Sequence, residues 1–420
     1  MTVGLTDAPL TYSLRQIRPG FAAFLCTPGS APTLDKVLTD SSLAPSQVQR
    51  REIADDPAQI GRLVREFYEC FLWLRDQCHL APSDIEVDPT AGRKWMSAGA
   101  TMIASFLGLS MFYVEVETRD GQPVPETMRF VPLGNPYTQT GFLEAEKGRE
   151  LFNRCDFAAA AETFGNLAPL LSAQADLYLG LAKLSGALHR WDLFEHYERS
   201  LSAELEEACR HLERAAYSAA DRSPFQAFVA GVRRLAQGIE GVTAAAKPAL
   251  VATADLLLNA QRRLTRGRYD DAIGRTYRAL ESLSQYYLYQ NFHIDATQAD
   301  YKQLSESQQG EVLECVGADP LPSKIGLEQG WRILWALKHP AAQKVLRVGK
   351  GNQLHNALAG VLENRNRSIL AHGWKPVSLE TAQKMTEKVR VLLIEFEGES
   401  ARQVFDALQI PHLPPLWSTA

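Results

Sequence analysis

The segment Glu363-Asn364-Arg365-Asn366-Arg367-Ser368-Ile369-Leu370-Ala371-His372-Gly373-Trp374 concentrates side chains suited to phosphoryl chemistry. A histidine holds or moves a proton near neutral pH, and an arginine stabilises phosphoryl charge bidentately. Val361, Leu362, Ile369 and Leu370 predict a helix here, and Gly373 followed by Pro376 marks its end. Two arginines compete as the partner of His372. At about 100° per residue, Arg365 and His372 come within about 20° of each other on one helix face, whereas Arg367 points about 140° away. Asn366 lies about 120° from His372 and can reach the edge of the site or a partner chain. Lone arginines and histidines on helices are usually solvated or structural. The crowding of polar groups beside a histidine at the helix end keeps the catalytic reading open.

A second candidate is the turn Val87-Asp88-Pro89-Thr90-Ala91-Gly92-Arg93-Lys94, which runs from a strand end into a helix beginning near Lys94. Backbone N–H groups at a helix start, aided by the helix dipole, suit a phosphate or another anion. Thr90 adds a hydroxyl and Lys94 a cation. The turn is not a Walker A loop, because G-x-x-x-x-G-K-[ST] is absent. The competing reading is an ordinary strand-to-helix turn with a surface lysine. The stretch Met1-Thr2-Val3-Gly4-Leu5-Thr6-Asp7 reads as the end of a first strand followed by a turn. Ligands of open parallel sheets bind beyond the carboxyl ends of the strands, so the two loops are expected to face one crevice. That first strand spans only about three residues, so either it is unusually short or the chain start is truncated.

A third stretch holds Arg262, Arg263, Arg266, Arg268, Arg275 and Arg278, with Tyr269, Tyr277, Tyr286, Tyr287 and Tyr289 interleaved or following. Arginine contacts and tyrosine stacking are the combination of a single-strand nucleic-acid groove. The plainer reading, which we favour from sequence, is a solvated helix face with core tyrosines.

These residues must be held by two kinds of scaffold. Residues 1 to about 135 alternate strand and helix, with strand candidates at Phe21–Cys26, Asp84–Val87 and Met111–Val116. Ile60, Leu63, Val64, Phe67, Phe71 and Leu74 recur at three and four residues and build one apolar helix face. Strands separated by helices imply crossover connections and a mostly parallel, doubly wound sheet. The proline-rich stretch Asp120–Pro136 marks a boundary. From about 141 onward the chain reads as helix. Gly148, Phe157, Ala160 and Phe164 match one helix–turn–helix unit of tetratricopeptide type in part, which does not amount to a repeat array; Leu201–Ala219 is a charged amphipathic helix, and the small residues of Gly241–Pro248 form a second boundary. The expected fold class is therefore α/β plus all-α: a sheet domain over 1–135, a helical connecting region over 141–245 and an all-α domain over 249–420.

Composition narrows the classes. Hydrophobic residues at 45% and charged residues at 22% fit a folded soluble protein. A formal charge of −5 excludes a globally basic nucleic-acid coat protein but leaves room for a local basic groove. The six cysteines (26, 70, 78, 155, 209 and 315) form no C-x-x-C pair, and scattered single cysteines fit reduced thiols in the cytoplasm. No His/Cys/Asp cluster has metal-ligand spacing, so no metal site is expected. No apolar run spans a membrane and no leader peptide is evident.

The Thr2-Val3-Gly4-x-Thr6 start, the run Asp88-Pro89-Thr90-Ala91-Gly92-Arg93-Lys94-x-Met96-Ser97-Ala98-Gly99 and the run Arg365-Asn366-x-Ser368-x-x-Ala371-His372-Gly373 together resemble the CRISPR-associated CARF–HEPN ribonucleases of type III systems. Asp255–Gln285 also resembles the first helices of their HEPN domain. The resemblance covers roughly 1–130 and 250–400. It implies a Rossmann-like CARF domain that dimerises and binds a cyclic oligoadenylate activator, with Thr2, Gly4, Thr6, Thr90, Gly92 and Lys94 at that site. It also implies paired HEPN domains forming a composite ribonuclease site, with Arg365, Asn366 and His372 as catalytic candidates and Arg367 second. A histidine and an arginine suffice for attack of an RNA 2′-hydroxyl on its own phosphate, without metal. The substrate implied is single-stranded RNA, the activator replaces any cofactor, and the assembly is a cytoplasmic homodimer. The main competing reading is a non-enzymatic cyclic-nucleotide sensor whose helical domain binds RNA or a partner protein. A dinucleotide-using enzyme is disfavoured because no G-x-G-x-x-G turn follows the first strand.

Overall fold

The computed structural model describes residues 1–119, 122–218, 223–245, 248–348, 354–356, 359–368 and 373–416. The chain forms two compact units, Met1–Leu143 and Glu144–Ala420.

The first unit runs α1 (Ala8–Ile17), β1 (Ala22–Cys26), α2 (Ala31–Thr39), β2 (Val48–Glu52), α3 (Ile60–Leu72), β3 (Glu86–Val87), α4 (Lys94–Phe106), β4 (Ser110–Glu115), the short hairpin β5 (Thr118–Arg119) and β6 (Gln122–Pro123), β7 (Arg129–Leu133) and α5 (Pro136–Thr140). β1 pairs with β2 in parallel, β3 with β4 in parallel, and β4 with β7 antiparallel. Met1–Val3 joins the two groups. Val3 N–H donates to the Leu25 carbonyl at 2.9 Å and Leu25 N–H to that of Met1 at 3.0 Å, while Thr2 N–H donates to the Asp88 carbonyl at 3.1 Å. The short first strand is thus central, giving the order β2, β1, Met1–Val3, β3, β4, β7.

Alternation along β1 divides the core in two, because successive side chains of a strand point to opposite faces. Ala22, Phe24 and Cys26 pack with Val3 and the helices α1 and α2. Ala23 and Leu25 pack with Leu63, Phe67 and Phe71 of α3 and Met96 and Ala100 of α4. Helices therefore cover both faces, as the doubly wound reading requires. Two strands of the sheet, besides the short β5–β6 pair, escaped it. β2, Val-Gln-Arg-Arg-Glu, is too polar to read as a buried strand. β7 lies inside the proline-rich stretch taken as a boundary, and it tolerates Pro132 because among the described residues it pairs with β4 alone and is an edge strand.

The second unit runs α6 (Phe142–Asn153), α7 (Phe157–Leu167), α8 (Ala175–Asp192), α9 (Ser202–Ser218), α10 (Ser223–Ala244), α11 (Leu250–Thr265), α12 (Tyr269–Phe292), α13 (Glu306–Val316), α14 (Leu327–Ala336), α15 (Pro340–Val345), β8 (Leu346–Val348), β9 (Leu354–Asn356), α16 (Ala359–Arg367) and α17 (Leu379–Ala407). The helix–turn–helix expected around Gly148 is α6 and α7. A Cβ at Gly148 would lie 2.6 Å from the Phe164 ring, so only glycine lets that ring reach the α6 backbone. One hydrophobic core extends from Ala145 to Leu416 and includes Trp191 and Trp331. Asn153 of α6 also donates to the Leu413 carbonyl at 3.0 Å and accepts from Leu413 N–H at 2.8 Å. The helices of 141–245 and those from 249 onward consequently share one core, and Gly241–Ala244, the start of the small-residue stretch read as a boundary, is the end of α10. The antiparallel β8–β9 hairpin is a strand pair in a region that reads as helix from sequence.

Candidate functional site

The loops after Met1–Val3, β1 and β3 meet at the carboxyl end of the sheet. Gly4 and Gly92 touch there: a Cβ on Gly4 would lie 2.7 Å from the Gly92 nitrogen, and Gly92 adopts φ +103°, which favours glycine. The Thr2 hydroxyl donates to the Ala91 carbonyl, and Thr2 is only 2% exposed. It stitches the two loops and is withdrawn from the crevice it was expected to line. Asp88 is buried and accepts from the Ser13 hydroxyl at 2.6 Å and from Thr90 N–H at 2.8 Å. This is an Asx turn that fixes the loop. The half-buried Thr90 accepts from Val114 N–H at 2.8 Å, tying the loop to β4. Thr6 and Lys94 are exposed.

Three helices begin at this rim: α1 after Gly4, α2 after the turn Thr27–Ser30, and α4 at Lys94. None has a side-chain cap, and none carries an acid in its first turn. The starts of α2 and α4 carry N-terminal partial charge that suits an anion, whereas the start of α1 already holds the Asp7 carboxylate, which also pairs with Lys36. The Thr27–Ser30 turn and Arg93, whose guanidinium grips Asp55 at 2.6 and 3.0 Å, were not singled out from sequence. A Thr-Pro-Gly-Ser turn directly after an apolar strand was the available signal for the first. A cavity of about 620 Å³ in this unit is a different place. It lies at the amino-terminal end of the strands, among Phe21, Phe67, Phe71, Leu80, Ile85 and Leu109.

In the second unit α16 presents the arginine motif. Arg365 is half-buried, with its guanidinium 5.1 Å from the centre of the Tyr277 ring of α12, and it donates to Asn366 Oδ1 at 3.0 Å. Burial pushes the Tyr277 phenol up from its ordinary range. Arg367 is exposed and pairs with Glu363, one turn back, at 2.6 Å. The helix ends at Arg367, five positions before His372, so the shared-face argument for Arg365 and His372 loses its premise. The reason is local. The Ser368 hydroxyl and N–H both donate to the Arg365 carbonyl, at 2.9 and 3.2 Å, contacts that compete with the helical ladder at this point. Gly373 N–H then donates to the Ser368 carbonyl and Lys375 N–H to that of Arg367, each at 3.1 Å. Gly373 stands where a Cβ would collide with the Arg367 carbonyl at 2.0 Å. His372 itself, with Ile369, Leu370 and Ala371, lies outside the described residues.

The arginine–tyrosine stretch is only in part the solvated face read from sequence: Arg268 and Arg278 are exposed and Tyr287 lies in the core, but the other arginines turn inward. Arg262 and Arg263 are buried and hold opposite oxygens of Asp192 on α8, each at 2.9 Å, and Arg262 stacks on Trp191 at 4.0 Å. Asn259 donates to Asp192 Oδ1 at 3.0 Å and accepts from Arg275 at 3.1 Å. Arg266 pairs with Asp156, Arg275 with Asp271 and Arg278 with Glu281. These cations join α8, α11 and α12. Among the described residues no group of three or more His, Cys, Asp or Glu stands together as a metal site, and no helix is long and apolar enough to cross a membrane.

A doubly wound sheet unit with an anion-suited crevice, followed by a helical unit that presents an Arg-Asn-Arg motif, is the arrangement of the CARF–HEPN proteins. Residues 242–395 match the family model of the Csm6 HEPN domain. The chain is 24% identical over 400 residues to the CRISPR system endoribonuclease Csm6 of Thermus thermophilus, covering 90% of this chain and 80% of that one. Its fold is similar to that of Enterococcus italicus Csm6 bound to cyclic hexa-2′-fluoro-hexa-dAMP, with a TM-score of 0.51, 10% identity and 97% of both chains covered. The chain is thus similar to the CRISPR-associated CARF–HEPN ribonucleases, and the similarity includes a Csm6 HEPN match over residues 242–395.

Proposed function

We propose that this protein is a cyclic oligoadenylate-activated endoribonuclease of type III CRISPR antiviral defence, working as a cytoplasmic homodimer on single-stranded RNA without metal. The observation that carries the reading is the place of the motif. Within the span matching the Csm6 HEPN domain, α16 ends on Arg365-Asn366-Arg367, directly before the segment leading to His372. The chemistry needs little more. His372 takes the proton of the RNA 2′-hydroxyl as its oxygen attacks the adjacent phosphorus. The bond to the 5′-oxygen breaks, and that oxygen receives a proton. Arg365 holds the negative charge that builds on the phosphoryl oxygens, and Asn366 holds the Arg365 fork. The products are a 2′,3′-cyclic phosphate and a 5′-hydroxyl, and DNA is spared because it lacks the nucleophile.

In the sheet unit, the starts of α2 and α4, together with Thr6, Thr90, Gly92 and Lys94, suit a ring of phosphates such as the ligand of the Enterococcus italicus structure. All six cysteines are free, which fits the cytoplasm. The test is to incubate the purified protein with labelled single-stranded RNA, a panel of cyclic oligoadenylates and EDTA. Cleavage that depends on one ring size and leaves cyclic phosphate ends is expected. Activator binding without cleavage would make the protein a sensor, and cleavage lost to EDTA would end the metal-free mechanism.

A further inference from the structure

The second unit carries a basic groove outside the arginine motif, with a volume of about 510 Å³, between β8 and α17. Its floor is Val345, Val391 and Leu392, and its rim holds Lys344, Arg347, Lys384 and Lys388 against one acid, Glu387. Glu387 is engaged by Arg390 at 3.2 Å, and Lys344 is held by Glu395. Among the described residues no carboxylate lies within ion-pair distance of Arg347, Lys384 or Lys388, all three exposed. In a protein of net charge −5, three exposed cations without an ion pair beside apolar side chains give a local positive patch of the sign that suits a polyanion.

The groove belongs to the elements that frame the motif. β8 and β9 precede α16, and α17 follows the segment after His372. Thr386, between Lys384 and Lys388 on α17, meets the Thr276 hydroxyl of α12 at 2.8 Å, and the next residue, Tyr277, lies under Arg365. Lys384 and Lys388 are one turn apart on the same helix face, about 6 Å along its axis. Cations in line beside an apolar floor suit a backbone that carries its charge at regular intervals and its bases to one side.

We propose that Arg347, Lys384 and Lys388 form a binding track for single-stranded RNA flanking the cleavage site. The track rests on the ribonuclease reading given above, and binding can be measured apart from cleavage. In a His372→Ala background, fluorescence anisotropy with a labelled single strand of about 16 nucleotides, the upper span of one such site, is followed against salt. Combining Arg347→Gln, Lys384→Gln and Lys388→Gln should weaken binding by about tenfold or more at low salt and flatten the log–log salt slope by about two, at roughly 0.7 per phosphate contact. Lys384→Arg with Lys388→Arg should bind like the parent. An unchanged affinity and slope in the triple variant, with an unchanged melting temperature, overturns the proposal. A change in oligomeric mass by light scattering with RNA binding intact also overturns it, because the groove would then be a protein interface. Should no activator elicit cleavage while the triple variant still loses RNA binding, the nuclease reading fails and the track stands.

Discussion

Arg365 lies over the face of Tyr277, its guanidinium 5.1 Å from the ring centre, and the two residues come from different helices of the second unit. The ring orients the arginine from below while Asn366 holds one of its nitrogens. A cation over an aromatic face is stabilised by about 0.5–1 kcal/mol at exposed sites and by about 2 when desolvated. Replacing Tyr277 with alanine should therefore slow cleavage by about three- to thirtyfold at saturating activator. Tyr277→Phe keeps the ring and should stay close to the wild-type rate. Equal losses in both variants would show that the phenol matters and the stack does not.

The two arginines of the motif are separated by their surroundings. Arg365 is half-buried, while Arg367 is exposed and engaged with Glu363. Arg365→Ala and His372→Ala are each expected to abolish cleavage with activator binding and dimerisation intact, and Arg367→Ala should leave measurable activity. A dead Arg367 variant beside a normally active Arg365 variant would reverse the assignment. The helix end at Arg367 removes the rotational argument for this order, which now rests on burial and on the Tyr277 contact.

Much of the sheet unit was legible because its signals are local. Leu63, Phe67 and Phe71 repeat at helical spacing, and the turn Asp88–Lys94 follows an apolar strand end, so the α3 core face and the meeting of the two loops follow from pattern alone. What stayed hidden depends on distant partners. Thr2 reads as an exposed loop hydroxyl until Ala91 accepts from it. Arg262 and Arg263 read as surface charges because Asp192, which neutralises both, lies 70 and 71 positions away. The end of α16 at Arg367 is marked by contacts that the apolar pattern does not carry: the Ser368 hydroxyl on the Arg365 carbonyl and the Lys375 N–H on that of Arg367.

That buried joint has a measurable stability. Asp192 is 1% exposed and is the acceptor for two buried guanidinium groups. With its carboxylate removed, Arg262 keeps only Asp255 at 3.9 Å, and Arg263 is left buried without a carboxylate partner. Asp192→Ala should cost about 3–5 kcal/mol, the usual result of breaking one half of a buried pair. Urea denaturation of the full chain reads this directly. A loss under about 1 kcal/mol would mean that water replaces the carboxylate and the joint is not sealed.

Lys94 opens α4 with its side chain exposed at the rim of the crevice, and it makes no ion pair among the described residues. Losing one charge-assisted phosphate contact costs about 1.5–3 kcal/mol. Lys94→Ala should accordingly raise the activator concentration needed for half-maximal cleavage by about ten- to a hundredfold, with the maximal rate close to wild type. Calorimetry separates the two quantities, and unchanged activator affinity would remove Lys94 from the site.

The proposed homodimer needs a surface, and α4 offers one that begins at the same lysine. Lys94, Ala98, Met102 and Phe106 are four residues apart, form one ridge of the helix and are all exposed. Met102 is 64% and Phe106 76% exposed, the latter among the most exposed large apolar side chains of the chain. On a monomer this ridge would hold apolar surface in water at about 25 cal/mol per Å². Packed against its own copy across a two-fold axis, it would bury that surface and bring the two Lys94 rims to one ligand. Met102→Glu with Phe106→Glu places like charges across such an axis, so the double variant should halve the mass measured by light scattering. It should also weaken activator binding, although neither side chain lies at the crevice. A Lys94→Ala protein, by contrast, should remain dimeric. If the double glutamate variant keeps both its mass and its activator affinity, the α4 ridge is not the dimer face and the pairing surface lies elsewhere on the chain.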